Sequence, residues 1–195
     1  MELKKMQALL KSSLPHKRYI HSMGVYDTAL ELASIHGVNV EKAGISALLH
    51  DCGREIPSRN NLEKAEELGI EIDEIEANQP ILLHAKIGVY YAKHKYEVED
   101  EDILAGIRWH TTGTNKMSPL AQVVFLADLV EPGRDFKGVE EMRKLAKKDL
   151  EYAMFKAYEQ TILYLLENDL LIHPSCIDGY NEIAIKYKNE KFKNR

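Results

Sequence analysis

Apolar residues along this chain recur at three- and four-residue intervals, and glycine, proline and small polar residues break the repeat into helix-sized pieces. Leu3 to Leu10 carries a short amphipathic stripe. Pro15 stands at the first turn of a second helix that runs to about His36 and stops at Gly37. A third helix, from about Val40, ends at His50-Asp51, with Gly53 placed to take a left-handed cap. Ser58 is positioned to cap a fourth helix through Leu68, and the acidic stretch from Ile70 to Pro80 reads as a connection with one helical turn. Ile81 to Tyr96 and Asp100 to Trp109 are helical in pattern, the second running into the polar break His110-Thr111-Thr112-Gly113. Ser118-Pro119 opens an apolar helix from Leu120 to Val130, which Glu131-Pro132-Gly133-Arg134 ends. Val139 to about Leu171 is a long helix or a broken pair, and Ile177 to Lys188 a last one; the Lys-rich tail from Lys186 reads as frayed. Alternating strand patterns between hairpin turns do not occur, so the expected fold class is all-α, a helical bundle.

Composition narrows the class of protein. A chain of 195 residues that is 45% hydrophobic can bury one sizeable core, so a single domain over 1-195 is expected, with the C-terminal helices of about 139-190 packing on the rest. A net charge of -5 argues against a broad basic face that grips nucleic acid. Cys52 and Cys176 lie far apart without metal-type spacing, which suits a reducing compartment better than a disulfide framework; Cys52 reads as a small packing residue. Without an apolar leader or a bilayer-length apolar run, the expectation is a soluble, cytoplasmic protein with no membrane partner.

Against this background the placement of polar residues stands out. His21, His50, Asp51, His84, His110 and Asp128 all fall on or at the ends of helices otherwise rich in apolar residues, and burying such groups without partners is costly. Imidazoles and carboxylates suit Fe, Mn, Zn or Mg, and convergence on a cation would satisfy all six. His50 and Asp51, adjacent on a helix, point about 100° apart, so other helices must complete the shell. Taken singly, His84 and His110 read as ordinary histidines; the ordered set is what carries weight. Arg18, one turn before His21 on the same face, is the leading cation for an anionic ligand, with Arg134 second and Arg54 third. Thr111 and Thr112 offer further donors at the loop after His110. His16, His36, His94 and His173 fall outside the set, His36 being assigned to the end of its own helix.

The order His21, His50-Asp51, Asp128 resembles the signature of HD-domain metal-dependent phosphohydrolases, and His84 and His110 are similar to the extra histidines of its binuclear members. Arg-Tyr-Ile-His at 18 to 21, Leu-Leu-His-Asp-Cys-Gly-Arg-Glu at 48 to 55, His-Thr-Thr-Gly at 110 to 113 and Ala-Asp-Leu-Val-Glu-Pro-Gly-Arg-Asp-Phe at 127 to 136 resemble the YqeK-like symmetrical bis(5'-nucleosyl)-tetraphosphatases, over a motif core of about 15-140. Ala85 departs from the pattern, where a glycine would follow the histidine. The resemblance implies an HD-type bundle holding one or two divalent ions, iron foremost, with His21, His50, Asp51 and Asp128 as primary ligands. Asp51 would also bridge toward a second ion. His84 and His110 would then be catalytic, completing that second site or holding phosphate beside Arg18, Thr111, Thr112 and Arg134. The implied reaction is attack of a metal-activated water on diadenosine tetraphosphate to give two ADP, with the nucleotide as the only partner and a homodimer left open. An HD phosphohydrolase of mononucleotides or cyclic dinucleotides, or a non-catalytic nucleotide sensor, would share the same ligand set.

Overall fold

Almost every interruption of the apolar repeat becomes a turn between helices. The computed structural model describes residues 1–193, with side chains through Asn189. Among the described residues there is no strand, as the pattern predicts. The helices are α1 (Leu3–Ser13), α2 (His16–His36), α3 (Val40–Leu49), α4 (Asn61–Glu67), α5 (Glu74–Asn78), α6 (His84–His94), α7 (Glu101–Trp109), α8 (Pro119–Val130), α9 (Val139–Lys148), α10 (Leu150–Glu167) and α11 (Pro174–Lys193). Tight 3-10 turns at Cys52–Glu55, Ser58–Asn60 and Pro80–Leu83 lie between them. No helix among the described residues is long and apolar enough to cross a membrane.

The most apolar helix, α8, is the axis of the bundle and packs against α2, α3, α7 and α10. Ser118 accepts a hydrogen bond from the Ala121 amide and Pro119 fills the first turn, so the helix starts where the sequence predicts. Leu120, Val123, Val124 and Leu126 are fully or almost fully buried along it, each contributing roughly 1.5 to 3 kcal/mol by leaving water. Two apolar clusters meet at α3. Ala43 and Ala47 face the cluster built on α2, α8 and α10, while Leu48 and Leu49 face the one built on α1, α6 and α7. His50 and Asp51 follow directly, at the seam between the two cores.

Several boundaries differ from the sequence reading. Gly37 does take the left-handed conformation that ends α2, at φ +67°. Gly53 does not: it sits inside the 3-10 turn, and glycine is required there because a Cβ would stand 2.1 Å from the His84 carbonyl oxygen and 2.7 Å from the Gly88 nitrogen. Ser58 opens a 3-10 turn without capping it, and α4 starts only at Asn61. The segment from Val139 is a broken pair, split at Asp149, whose extended backbone ends α9 and whose carboxylate caps α10 through the Tyr152 amide. The last helix begins earlier than expected, at Pro174, and continues to Lys193 through the Lys-rich tail read as frayed; positions 194 and 195 lie outside the described residues.

The Gly53 contact joins the turn after α3 to the start of α6, and neither backbone can yield without moving a helix. Gly53→Ala is therefore expected to cost at least about 2 kcal/mol of stability, the upper range for overpacking. Urea unfolding of the wild type and the variant measures this, and an unchanged midpoint would refute the constraint.

Candidate metal centre

Three imidazoles of the centre directly follow a helical segment, and each ring is held the same way. His50 follows α3, and its Nδ1–H donates to the Ala47 carbonyl at 2.6 Å. His110 follows α7 and donates to the Ile107 carbonyl at 2.8 Å. His84 follows the turn Pro80–Leu83 and donates to the Ile81 carbonyl at 2.5 Å. A helix end leaves carbonyls without intrahelical donors, and the residue just past it is placed to satisfy one three positions back. Because a carbonyl only accepts, each of these rings carries a proton on Nδ1, and when neutral presents a lone pair on Nε2. His21 reaches the same place from the second turn of α2, with Nδ1 3.1 Å from Glu131 Oε1, just past α8.

The four Nε2 atoms surround Asp51, which is 2% exposed. Its Oδ2 lies 3.9 Å from His21 Nε2 and 3.6 Å from His50 Nε2, while its Oδ1 lies 3.4 Å from His84 Nε2 and 3.6 Å from His110 Nε2. Asp128 Oδ1 closes the first group, 3.0 Å from His21 Nε2 and 3.8 Å from His50 Nε2. Donor atoms of His21, His50 and Asp51, of His50, His110 and Asp128, and of Asp51, His84 and His110 form three sets, each close enough to share an ion.

The donors fit a cation on physical grounds. His21 Nε2 and His50 Nε2 are buried and make no hydrogen bond. His84 Nε2 and His110 Nε2 face each other at 2.9 Å with both Nδ1 protons already committed. The Thr111 hydroxyl, 3.1 and 3.0 Å from these two nitrogens, has a single proton to offer. An electron-pair acceptor satisfies such a cluster; apolar packing does not.

Electrostatics favour neutral rings at His50 and His84 and charged carboxylates at Asp51 and Asp128. Burial lowers His50 to a pKa of about 4 despite the neighbouring Asp51 and Asp128, so the ring is neutral at pH 7. Burial, with Arg54 and His110 nearby, also holds His84 well below its ordinary value. His21 moves the other way, because the Asp128 and Glu131 carboxylates outweigh its desolvation. Asp51 is destabilised as an anion by burial, yet His50, His110 and Arg54 beside it keep it well below the carboxylate range. Asp128 is depressed likewise, its desolvation outweighed by His21, His50 and Arg134.

All six residues that the sequence singles out as a cluster therefore converge. The arginines arrive too, but on carboxylates: Arg18 Nη1 is 2.8 Å from Asp51 Oδ2, Arg54 Nε is 2.6 Å from Asp51 Oδ1, and Arg134 pairs with Asp128. Arg54, ranked last from sequence, is as close to the centre as Arg18. Thr111 lines the centre, whereas Thr112 is buried and its hydroxyl donates to the Gly113 carbonyl in its own loop. Glu131 is the residue that sequence reasoning passed over, having been read only as part of a helix stop. Its Oε2 also accepts from the Gly133 amide at 2.6 Å, and a Cβ on Gly24 would stand 2.7 Å from it, so α2 is pared down to admit it. His36 does not serve its own helix end; it reaches the Ala146 carbonyl of α9 at 2.7 Å. His173 pairs with Asp73, away from the centre.

The HD domain family matches residues 18–133. The chain is 37% identical over 180 residues to the symmetrical bis(5'-nucleosyl)-tetraphosphatase of Halalkalibacterium halodurans, covering 92% of this chain and 96% of that one. It is 37% identical over 174 residues to the protein of the same name in Bacillus subtilis, covering 89% and 93%. Among solved structures it resembles a chain from Clostridium acetobutylicum, described as a predicted HD superfamily hydrolase involved in NAD metabolism. The TM-score is 0.90 at 36% identity, with 95% of this chain and 98% of that one covered.

The cysteines stand apart from this chemistry. Cys52 is buried, its Sγ–H donating to the Gly88 carbonyl, and its thiol is pushed far up by burial; Cys176 is buried and raised to about 11. A thiolate is the reactive form, so neither should react in the native state at pH 8. A chromogenic disulfide reagent should titrate both thiols only after denaturation. Fast native labelling of Cys52 would revive it as a nucleophile.

Proposed function

Because this chain belongs to the HD-domain family and, within it, to the symmetrical bis(5'-nucleosyl)-tetraphosphatases, we propose that it hydrolyses dinucleoside tetraphosphates at the central phosphoanhydride. Diadenosine tetraphosphate and water would give two ADP. The observation that carries the reading is Asp51, whose two carboxylate oxygens face two different imidazole groups. We assign His21, His50, Asp51 and Asp128 to one cation, and Asp51, His84 and His110 to a second. His84 and His110 could hold phosphate instead only by donating from Nε2, which would require a charged ring in a nearly fully buried position whose Nδ1 proton is already spent. Accepting, as a ligand does, is the role their geometry favours. Iron is our assignment, with Mn, Zn or Mg as the alternatives that metal analysis separates.

A divalent cation in this shell supplies Lewis acidity, drawing charge from a phosphoryl oxygen and lowering the pKa of a coordinated water toward neutrality. The protein's own groups do the rest. Arg18 and Arg134 are more than a third exposed and paired with ligand carboxylates, so each can swing its fork onto the polyphosphate once those carboxylates have another partner. Arg54, nearer the interior, holds Asp51 from the opposite side to Arg18 and so fixes the orientation of its carboxylate. The Thr111 hydroxyl can donate to a phosphate oxygen beside His84 and His110.

Two measurements test this reading. Chromatography of the products from diadenosine tetraphosphate should show ADP alone, and Asp51→Ala should abolish turnover and bound metal while leaving helix content intact. AMP plus ATP would refute the symmetric cut, and activity confined to mononucleotides would move the assignment to another HD chemistry. Glu131→Ala should cost roughly 10- to 100-fold in metal affinity, as the loss of an orienting partner does, with Glu131→Gln restoring part of it. Unchanged affinity in a chelator competition would show that His21 needs no orienting group.

A further inference from the structure

Beside the His84 edge of the centre lies a cleft of about 300 Å³ that the proposed chemistry leaves unused. Its polar rim is Arg54, His84 and Thr111, and its opposite wall comes from the end of α10 and the turn before α11: Tyr164, Leu165, Leu170 and Leu171. Four large apolar side chains around this opening are conspicuously exposed: Ile81 44%, Tyr164 58%, Leu170 40% and Leu171 41%. Exposed apolar side chains gathered at the edge of a polar site mark a binding surface more than a packing defect. The wall is also held in place. The Leu171 amide donates to Gln79 Oε1 at 3.1 Å, and His173 Nε2 stands 2.9 Å from Asp73 Oδ2, so the turn is tied at two points to the segment around α5. Asp169, at φ +52°, makes the bend that presents Leu170 and Leu171 to the cleft.

Resting on the dinucleotide reading above, we propose that this cleft is the subsite for one nucleoside of the substrate, with Tyr164 as the stacking platform for its base. The occupant follows from the neighbours. Arg54, on the rim, also lines a separate cleft of about 390 Å³ that contains Lys17 and Arg18. A phosphate chain crossing the Asp51 centre past Arg54 would therefore bring one terminal nucleoside to the apolar cleft and run its phosphates past the cationic one. The apolar cleft offers what a base needs and a phosphate does not: flat hydrophobic walls, one aromatic face and few charges. Thr161 also lines it and can offer a hydroxyl to a base edge or a ribose. The Leu170 and Leu171 wall sets the width of the slot, and with it the preference for one class of base over another.

Stacking of a base on an aromatic ring is worth roughly 5- to 150-fold in affinity. Calorimetry on the metal-loaded protein, with ADP and with inorganic pyrophosphate as separate probes, tests the assignment. Tyr164→Ala should weaken ADP at least about 5-fold and leave pyrophosphate unchanged, while Tyr164→Phe, which keeps the ring, should bind ADP as the wild type does. Leu171→Ala gives a second reading, again lowering ADP affinity selectively. Tyr164 and Leu171 are both exposed enough that these changes do not threaten the core, which circular dichroism checks. Equal effects on the two probes, or ADP binding unaffected by either alanine, would overturn the subsite even if diadenosine tetraphosphate is still cut to ADP. Selective loss of ADP binding would uphold the subsite even if the dinucleotide proved not to be cut.

Discussion

The hydrogen bond from an imidazole Nδ1–H to the carbonyl three residues back, made at the end of a helical segment, is what the centre depends on. It is made at His50, His84 and His110, and it does two things at once. It gives a carbonyl near the end of each segment a side-chain donor, and it fixes the tautomer so that Nε2 faces inward as an acceptor. Stability and ligation are therefore not separable at these positions. The same contact that ends the helix aims the ring. His21 lies within a helix and has no carbonyl to use, so it needs an outside partner; Glu131 supplies it.

Charge balance is the second constraint. The buried Asp51 and the largely enclosed Asp128, among mostly neutral imidazoles, would be expensive without compensation, and three guanidiniums provide it, two on Asp51 and one on Asp128. The compensation is unequal in character. Arg54 leaves the turn directly after Asp51 and bonds through Nε, close to its own backbone, whereas Arg18 bonds through a terminal nitrogen on a long, partly exposed stem; Arg134 does both, with Nε on the Asp128 carbonyl at 2.8 Å and a terminal nitrogen on its carboxylate. Arg54 is part of the scaffold, Arg18 can be redeployed toward an anion, and Arg134 can turn its terminal nitrogens toward one while its Nε stays anchored.

Much of this was legible in the sequence, for reasons that are local. Helix ends announce themselves through Gly37 and Ser118-Pro119, because caps and left-handed turns depend on neighbours within a few residues. The six-residue cluster was legible because polar groups in apolar helices demand a common partner. What escaped depended on distance in space. Gly53 looked like a helix cap and is instead a point of backbone contact with α6. The break at Asp149 was one of two open readings, since a carboxylate within a helical repeat can cap or simply face water. Glu131 touches His21 across 110 positions, and nothing in the Glu-Pro-Gly stretch signals which way its carboxylate turns. That Arg54 bonds Asp51 was not foreseen, because spacing along a helix does not describe the 3-10 turn that follows one.

That separation between His21 and Glu131 has a meaning for the order in which the protein is made. A chain leaving the ribosome presents α2, with His21, and α3, with His50 and Asp51, long before α8 delivers Asp128 and the carboxylate that orients the first imidazole. Until then the N-terminal helices have donors aimed at a space with no far wall. Maturation of the centre is thus a late event of synthesis, and a cation met by the growing chain finds a poorer chelator than the finished bundle.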